Sequence, residues 1–271
     1  MVQFSTSLPD TRLLPYIKMY FWGKDENPPK VQRIVPNGEM GLCVYRGTPV
    51  IYDGEGERWS CLSGQSLRYQ DIVSHGKIEI VGAHFTTLGA RLFFRLALHE
   101  LFGQTVELTD LRDQGMKDMA ERIQEAIDPQ ACWNLMDKFF LERLAESAEN
   151  QLDFRRLQRA LAYGQQHTSD MRIGEIASEV CLSERQFCRV FSDWTGLSPK
   201  DYIRLLRYHK TLHELKQVGR SSQKSFLEIA WENGYYDYSH LSSDFRKISG
   251  YPPHRLLEIS ANDGDEVGWR L

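Results

Sequence analysis

The sequence predicts an α+β chain: a β-rich N-terminal domain with flanking helices, followed by an all-α C-terminal domain built around a long central helix. Three observations predict it. Between about Val31 and Phe85, short apolar or alternating runs are separated by turn-forming residues, the pattern of strands joined by turns. After Thr87 the apolar period changes to that of a helix, and from Leu152 onward every periodic segment reads as helical. Within the last third, a segment of about fifty residues occurs twice.

Taken in order, Leu8 to Trp22 is an amphipathic stretch opened by Pro9 and Asp10 and is expected to be a short helix. The expected strands are Gly41–Tyr45, Val50–Tyr52, Trp59–Leu62 and Ile78–Phe85. Pro36-Asn37-Gly38, Arg46-Gly47-Thr48-Pro49 and Asp53-Gly54-Glu55-Gly56 separate them. Leu88, Leu92, Leu96 and His99 then fall near one helical face, and helices are expected over about 114–127 and 129–147. At 271 residues the chain exceeds what one core usually serves. The expected division is 1–150, 151–260 and a polar tail, 261–271, with the boundary near Asn150-Gln151.

The repeat aligns Ile173-Gly174-Glu175-Ile176-Ala177 with Phe226-Leu227-Glu228-Ile229-Ala230, Phe187 and Phe191 with Leu241 and Phe245, and Gly196 with Gly250. The offset is 53 residues before the turn and 54 after it, so the second copy has one extra residue in its turn. In the first copy a short helix with Ala177 on its inner face precedes a helix capped by Ser183, whose hydroxyl can accept from exposed first-turn amides. Phe187, Val190, Phe191 and Trp194 point inward. In the second copy the turn is at Asn233-Gly234 and Asp237 is the cap. Two short helices joined by a tight turn, the second capped and polar-faced, make a helix-turn-helix unit. Pro199 to Gln217 reads as one helix joining the two units, with Tyr202, Leu205, Leu206, Leu212 and Leu215 on its apolar side. At 1.5 Å per residue it is roughly 27 Å long, against about 34 Å between successive major grooves on one face of DNA.

Over residues 155–259 the chain resembles the AraC/XylS-type transcription regulators. The resemblance is carried by Glu175-Ile176-Ala177, Ser183-x-x-x-Phe187-x-Arg189-x-Phe191, Gly196-x-Ser198-Pro199-x-x-Tyr202-x-x-x-x-Arg207, Ile229-Ala230-x-x-x-Gly234-Tyr235 and Gly250-x-x-Pro253. It implies a sequence-specific regulator that contacts promoter or operator DNA through Arg185, Gln186, Cys188 and Arg189, then Tyr238, Ser239, Ser242 and Ser243. It also implies a separate sensing or dimerisation domain, hence a small-molecule effector, a homodimer and, for an activator, RNA polymerase as partners. Two positions depart from the family pattern. Cys181 stands where the first turn usually has glycine, and Ser243 where the second recognition helix usually has arginine. A serine makes neither a charged phosphate contact nor a bidentate guanine contact, so the first unit is expected to dominate base reading. Arg204, Arg207 and Lys210 on the central helix are phosphate contacts or salt-bridge partners; the sequence allows either.

The N-terminal half resembles, more loosely, a sensor domain found ahead of such units, through Val35-Pro36-Asn37-Gly38, Val81-Gly82-Ala83-His84-Phe85 with Gly89-Ala90, and Val106-Glu107-Leu108. Tyr45, Tyr52, Trp59, Tyr69 and His84 are candidates to line a ligand pocket, because aromatic walls with a few polar groups suit small molecules; as ordinary core they need no ligand. The alternative is a DNA-binding or interaction protein with no small-molecule effector, controlled by a protein partner or by abundance.

Composition narrows the rest. The net charge is −4, but residues 1–150 carry 16 Lys and Arg against 21 Asp and Glu, whereas 151–260 carry 16 against 13. No apolar run approaches the roughly 20 residues of a membrane helix, and Met1-Val2-Gln3-Phe4-Ser5 is not a signal sequence, so a cytoplasmic protein is expected. Cys43, Cys61, Cys132, Cys181 and Cys188 are scattered and form no Cys-x-x-Cys pair, against a disulfide framework or a zinc site. Enzyme motifs fail on spacing. Gly64-Gln65-Ser66 lacks the second glycine of a nucleophile elbow, and His99-Glu100 and His213-Glu214 are followed by Gly103 and Gln217 where a second zinc-binding histidine would stand. No catalytic residue, metal or cofactor is expected.

Overall fold

The computed structural model describes residues 2–28, 30–94, 96–147, 151–166, 172–218 and 224–261. The tail beyond Ala261 and Asn150 at the expected boundary lie outside the described residues. In chain order the strands are β1 (Gln3–Ser7), β2 (Ile17–Asp25), β3 (Val31–Ile34), β4 (Gly41–Arg46), β5 (Val50–Tyr52), β6 (Glu55–Arg58), β7 (Ser60–Ser63), β8 (Gln70–Ser74), β9 (Ile78–Phe85) and β10 (Thr105–Glu107). The helices are α1 (Ala90–Phe93), α2 (Gln114–Glu125), α3 (Pro129–Glu146), α4 (Gln151–Gln166), α5 (Ile173–Glu179), α6 (Glu184–Thr195), α7 (Pro199–Lys216), α8 (Phe226–Glu232), α9 (Tyr238–Ser249) and α10 (Pro253–Ala261), with 3-10 turns at Leu98–Leu101 and Leu108–Asp110.

The strands form two antiparallel sheets, ordered β1-β2-β9-β4-β7-β10 and β3-β8-β5-β6. Alternation along β4 shows how the larger sheet is buried on both faces. Leu42 and Val44 point into a core with Val81, Ala83, Phe85, Phe93 and the inner faces of α2 and α3. Cys43 and Tyr45 point the other way, toward Val50, Tyr52 and Ile72 of the smaller sheet. The Tyr20 hydroxyl donates to Asp137 at 2.8 Å and ties β2 to α3.

Two expectations for this half fail. Leu8–Trp22 is not a helix: Ile17–Trp22 lies in β2, paired with both β1 and β9. Ile17, Tyr20 and Phe21 are bulky residues that fit a pleated surface, and sheet pairing outweighs the local helical pattern. Among the described residues from Leu88 to His99, α-helix is confined to Ala90–Phe93, because Phe94 turns to an extended conformation. That lets Phe93 and Phe94 both reach the same core, where each packs on Phe85.

The C-terminal helices enclose their own core around Leu157, Phe187, Phe191, Trp194, Tyr208, Leu241 and Phe245. Leu88 belongs to it, and Tyr16, Val35 and Leu67 pack against it, so the two halves share a packed junction. His99 Nδ1 lies 3.4 Å from Asp193 on α6, and His209 on α7 donates from Nε2 to the Pro36 carbonyl at 2.8 Å. Arg33 pairs with Asp71 at 2.7 and 2.8 Å. Its guanidinium stands 3.7 Å from the Tyr69 ring centre and 4.8 Å from that of Tyr251, just after α9.

Candidate nucleic-acid interface

Each unit is built from local chemistry that the sequence carries. Ser183 accepts from the Gln186 amide while the Gln186 side chain accepts from the Ser183 amide, a reciprocal capping box that starts α6. Asp237 caps α9 by accepting from the His240 amide at 2.7 Å. Gly196 and Gly250, both left-handed, end the two helices. The turns are also alike. Leu182 donates its amide to Ala177 O at 2.9 Å, and Tyr235 donates to Ala230 O at 2.9 Å. One residue earlier the chain takes a positive φ in both, +58° at Cys181 and +77° at Gly234. Cys181 therefore occupies the backbone conformation that glycine serves elsewhere. Since Leu182 matches Tyr235 and Ser183 matches Asp237, the extra residue of the second turn is Tyr236.

The arginines of this region divide into two classes. Arg185 and Arg189 are exposed on α6, and among the described residues neither has an ion-pair partner. Arg204 and Arg207 on α7 are bound inward: Arg204 Nε donates to Asp244 of α9 at 2.6 Å, and Arg207 lies 3.5 Å from the same carboxylate. Arg207 also stands 4.6 Å from the Tyr235 ring, whose hydroxyl donates to Asp244 at 3.2 Å. The choice left open for these two is settled as salt bridging. Burial and the neighbouring carboxylate push the Tyr235 hydroxyl up, so it stays a donor at all ordinary pH. Asp244 is 5% exposed and joins α7 to α9. Sequence reasoning missed it; the available signal was the spacing of Arg204 and Arg207, three apart on one helical face.

The remaining expected contacts are placed as follows. Gln186 is exposed, but its side-chain oxygen is occupied by the capping box. Cys188 is half-buried, and burial followed by Glu184 raises its thiol above the usual range, so it is protonated at neutral pH. Tyr238, Ser239 and Ser243 are exposed. Ser242 is a correction: it is 4% exposed and faces inward. Its helical phase explains this, since Ser242 and Ser249 are seven apart and flank the inner stripe of Leu241, Phe245 and Ile248.

The five pocket candidates do not converge. Tyr45 and Tyr52 are core, hydroxyl to hydroxyl at 2.7 Å, with the Cys61 thiol donating to Tyr52 at 3.4 Å. Trp59 is 44% exposed, and Tyr69 stacks on Arg33 at the junction between the halves. His84 pairs with Gly41, four residues along β4 from Tyr45, which is about 13 Å at the rise of a strand. Its ring lies 4.9 Å from that of Phe21. Neither ring nitrogen has a hydrogen-bond partner among the described residues. Burial, aided by Lys18, holds its pKa down to about 4.

Comparison with known proteins agrees with this geometry. Residues 176–259 match a family described as a helix-turn-helix domain. The HTH-type transcriptional activator RhaS of Escherichia coli O9:H4 (strain HS) is 33% identical over 116 residues, 42% of this chain and 40% of the relative. Residues 176–259 are thus a helix-turn-helix domain. The match therefore spans well under half the length of the curated relatives. Residues 5–107 match a family described only as a domain of unknown function, DUF6597. Among solved structures, an AraC-type regulator from Chromobacterium violaceum is 25% identical, covers 41% of this chain and 96% of its own, and has a TM-score of 0.37. ToxT from Vibrio cholerae is 11% identical over 95% of this chain and 98% of its own, with a TM-score of 0.45. No helix among the described residues is long and apolar enough to cross a membrane.

Proposed function

We propose that this chain is a sequence-specific DNA-binding transcription regulator whose two AraC-type units enter neighbouring major grooves. The observation that carries the reading is the pairing of α6 with α9. Each is a capped helix with one buried face and one exposed polar face, and the two are joined by α7. The 18 residues of α7 give a rod of roughly 27 Å. In α6 the unpaired Arg185 and Arg189 supply the charge and the forked donors that suit phosphate and guanine. The N-terminal half, 1–150, would hold the unit and relay a signal to it through the junction at Arg33, Tyr251 and His209, as a monomer or a homodimer, and for an activator would work alongside RNA polymerase.

One observation favours control without a small-molecule effector. The space between the two sheets is occupied by Phe21, Tyr45, Val50, Tyr52, Ile72, Ile78 and Ile80 as buried core. On that reading a protein partner or the abundance of the chain sets its activity.

The test is selection of bound duplexes from a random DNA library at near-physiological salt, with the wild type and Arg189→Ala. The expected result is a motif of two half-sites about one helical turn apart, with the variant losing ~1–3 kcal/mol and relaxing at one half-site. Recovery of no motif from the wild type would refute the reading.

A further inference from the structure

The second unit lacks the arginine that α6 carries at Arg189, having Ser243 in its place. It has instead a group of exposed aromatic side chains at the end of α8, in the turn and at the start of α9. Tyr236, the extra residue of that turn, is 85% exposed, Trp231 57% and Tyr238 40%. The group is held by the backbone around it. Trp231 Nε1 donates to the Tyr236 carbonyl at 3.1 Å, and the Tyr236 amide donates to His240 Nδ1 at 3.3 Å. The Trp231 indole is thus tied to the turn while more than half of its surface is exposed. Exposed aromatic surface gathered in one place, rather than scattered singly, marks a contact site.

Resting on the regulator reading above, we infer that Trp231, Tyr236 and Tyr238 form an aromatic edge by which the second unit contacts DNA, packing on deoxyribose and thymine methyl groups at the second half-site. The occupant follows from the repeat. Tyr238 and Ser239 stand 54 residues after Glu184 and Arg185, so the turn and first helical turn of α9 face the groove as those of α6 do. A reader of this kind gains affinity from apolar contact, which releases no counterions. The first unit, with two unpaired arginines, gains it from charge, which does. The two half-sites should then respond differently to salt, and the second should prefer thymine at the contacted positions, where the methyl group is the distinguishing feature.

The experiment uses the full chain and the duplex selected above, with binding measured by fluorescence anisotropy across a series of salt concentrations. Wild type, Tyr236→Ala, Trp231→Ala and Arg189→Ala are compared, and the wild type is also tested on duplex with thymine replaced by uracil in the second half-site. Expected are losses of about tenfold for each aromatic variant with an unchanged slope of affinity against salt. The slope should fall by about one for Arg189→Ala if that arginine meets phosphate. Uracil should weaken wild-type binding and leave Tyr236→Ala less affected. Circular dichroism checks that the variants are folded; all three substituted side chains are exposed. If the aromatic variants bind as the wild type does while Arg189→Ala is weakened, the edge is not a DNA contact, a protein partner being the remaining use, and the regulator reading survives. If their loss comes with a reduced salt slope, the edge acts through phosphate and the inference is wrong. If the wild type binds no selected duplex, the regulator reading itself falls and this inference falls with it.

Discussion

The two turns of the repeat are an internal experiment on backbone strain. Cys181 and Gly234 hold equivalent positions, with φ of +58° and +77°. A left-handed conformation costs a non-glycine residue about 1–2 kcal/mol. Glycine avoids that cost but brings greater freedom to the unfolded chain, worth about 0.5–1 kcal/mol against folding. The Cys181 side chain is exposed, so its removal forfeits little packing. Cys181→Gly should therefore stabilise the chain by ~0.5–1 kcal/mol. The reverse change, Gly234→Ala, isolates the backbone cost, because a Cβ there would meet nothing within 4 Å; a loss of ~0.5–1 kcal/mol is expected. Urea denaturation reads both as opposite shifts of the midpoint with an unchanged slope. Cys181→Ala, which keeps the Cβ, should leave the midpoint where it is. If Cys181→Gly destabilises, or if Cys181→Ala gains as much as glycine does, the strain assigned to this turn is absent.

Asp244→Ala should cost ~3 kcal/mol, since it strands Arg204, Arg207 and the Tyr235 hydroxyl. Asp244→Asn, which keeps an acceptor, should cost about half of that. A loss below about 1 kcal/mol for alanine in urea denaturation would show that the carboxylate does not join α7 to α9. Stability should also fall as the medium is acidified from pH 7 to 5. The His84 pKa is about 4 in the fold against about 6.5 unfolded, so between these values the unfolded chain binds more protons. The stability is whole above pH 6.5 and declines toward pH 4, by ~2 kcal/mol at pH 5. Glu39, 4.0 Å from Nδ1 and paired with Lys18, tempers the loss. His84→Leu should flatten this part of the profile, and an unaltered profile would clear His84 of the effect. Arg33→Ala removes the guanidinium between Tyr69 and Tyr251 and should speed amide hydrogen exchange at the start of α10; unchanged protection of Leu256 and its neighbours would mean the junction is held elsewhere.

How much of this was legible depends on how local the governing forces are. The helix-turn-helix units were readable because their determinants sit within a few residues: Ser183 and Asp237 as caps, Gly196 and Gly250 as stops, and inner stripes at helical spacing. The one-residue mismatch of the repeat located the longer turn, though not that Tyr236 would be the residue left in solvent. Strands β4, β5, β7 and β9 were visible in part because their alternation or apolar runs are strong. Ile17–Trp22 was misread because a strand's partners are remote in sequence: β9 lies about sixty residues away, and no local pattern records that pairing. The pocket candidates failed for a related reason. Tyr45 and Tyr52 satisfy each other's hydroxyls, and polar groups that pair internally look the same in sequence as groups waiting for a ligand. Ser242 was placed in the groove because the resemblance carries that position over, while its phase on α9 puts it inside.

Charge shows most clearly why pairing matters more than composition. The region 151–260 is only slightly basic, so net charge hardly points to nucleic acid. Yet its cations are distributed unevenly once partners are assigned. Arg159 is matched by Glu179, Lys224 by Glu232, Arg255 by Glu258, and Arg204 and Arg207 by Asp244. Those pairs brace helices or cap the surface, and their fields largely cancel at the distance of a groove. What is left uncancelled on α6 is Arg185 and Arg189, one helical turn apart on the exposed face. On α9 the exposed cations Arg246 and Lys247 lie in the last turn, where they suit the negative end of the helix dipole and leave the start of the helix to the aromatic edge. The two units thus share one backbone plan and differ in where each keeps its charge, so the same scaffold presents a cationic face at one end of α7 and an aromatic one at the other.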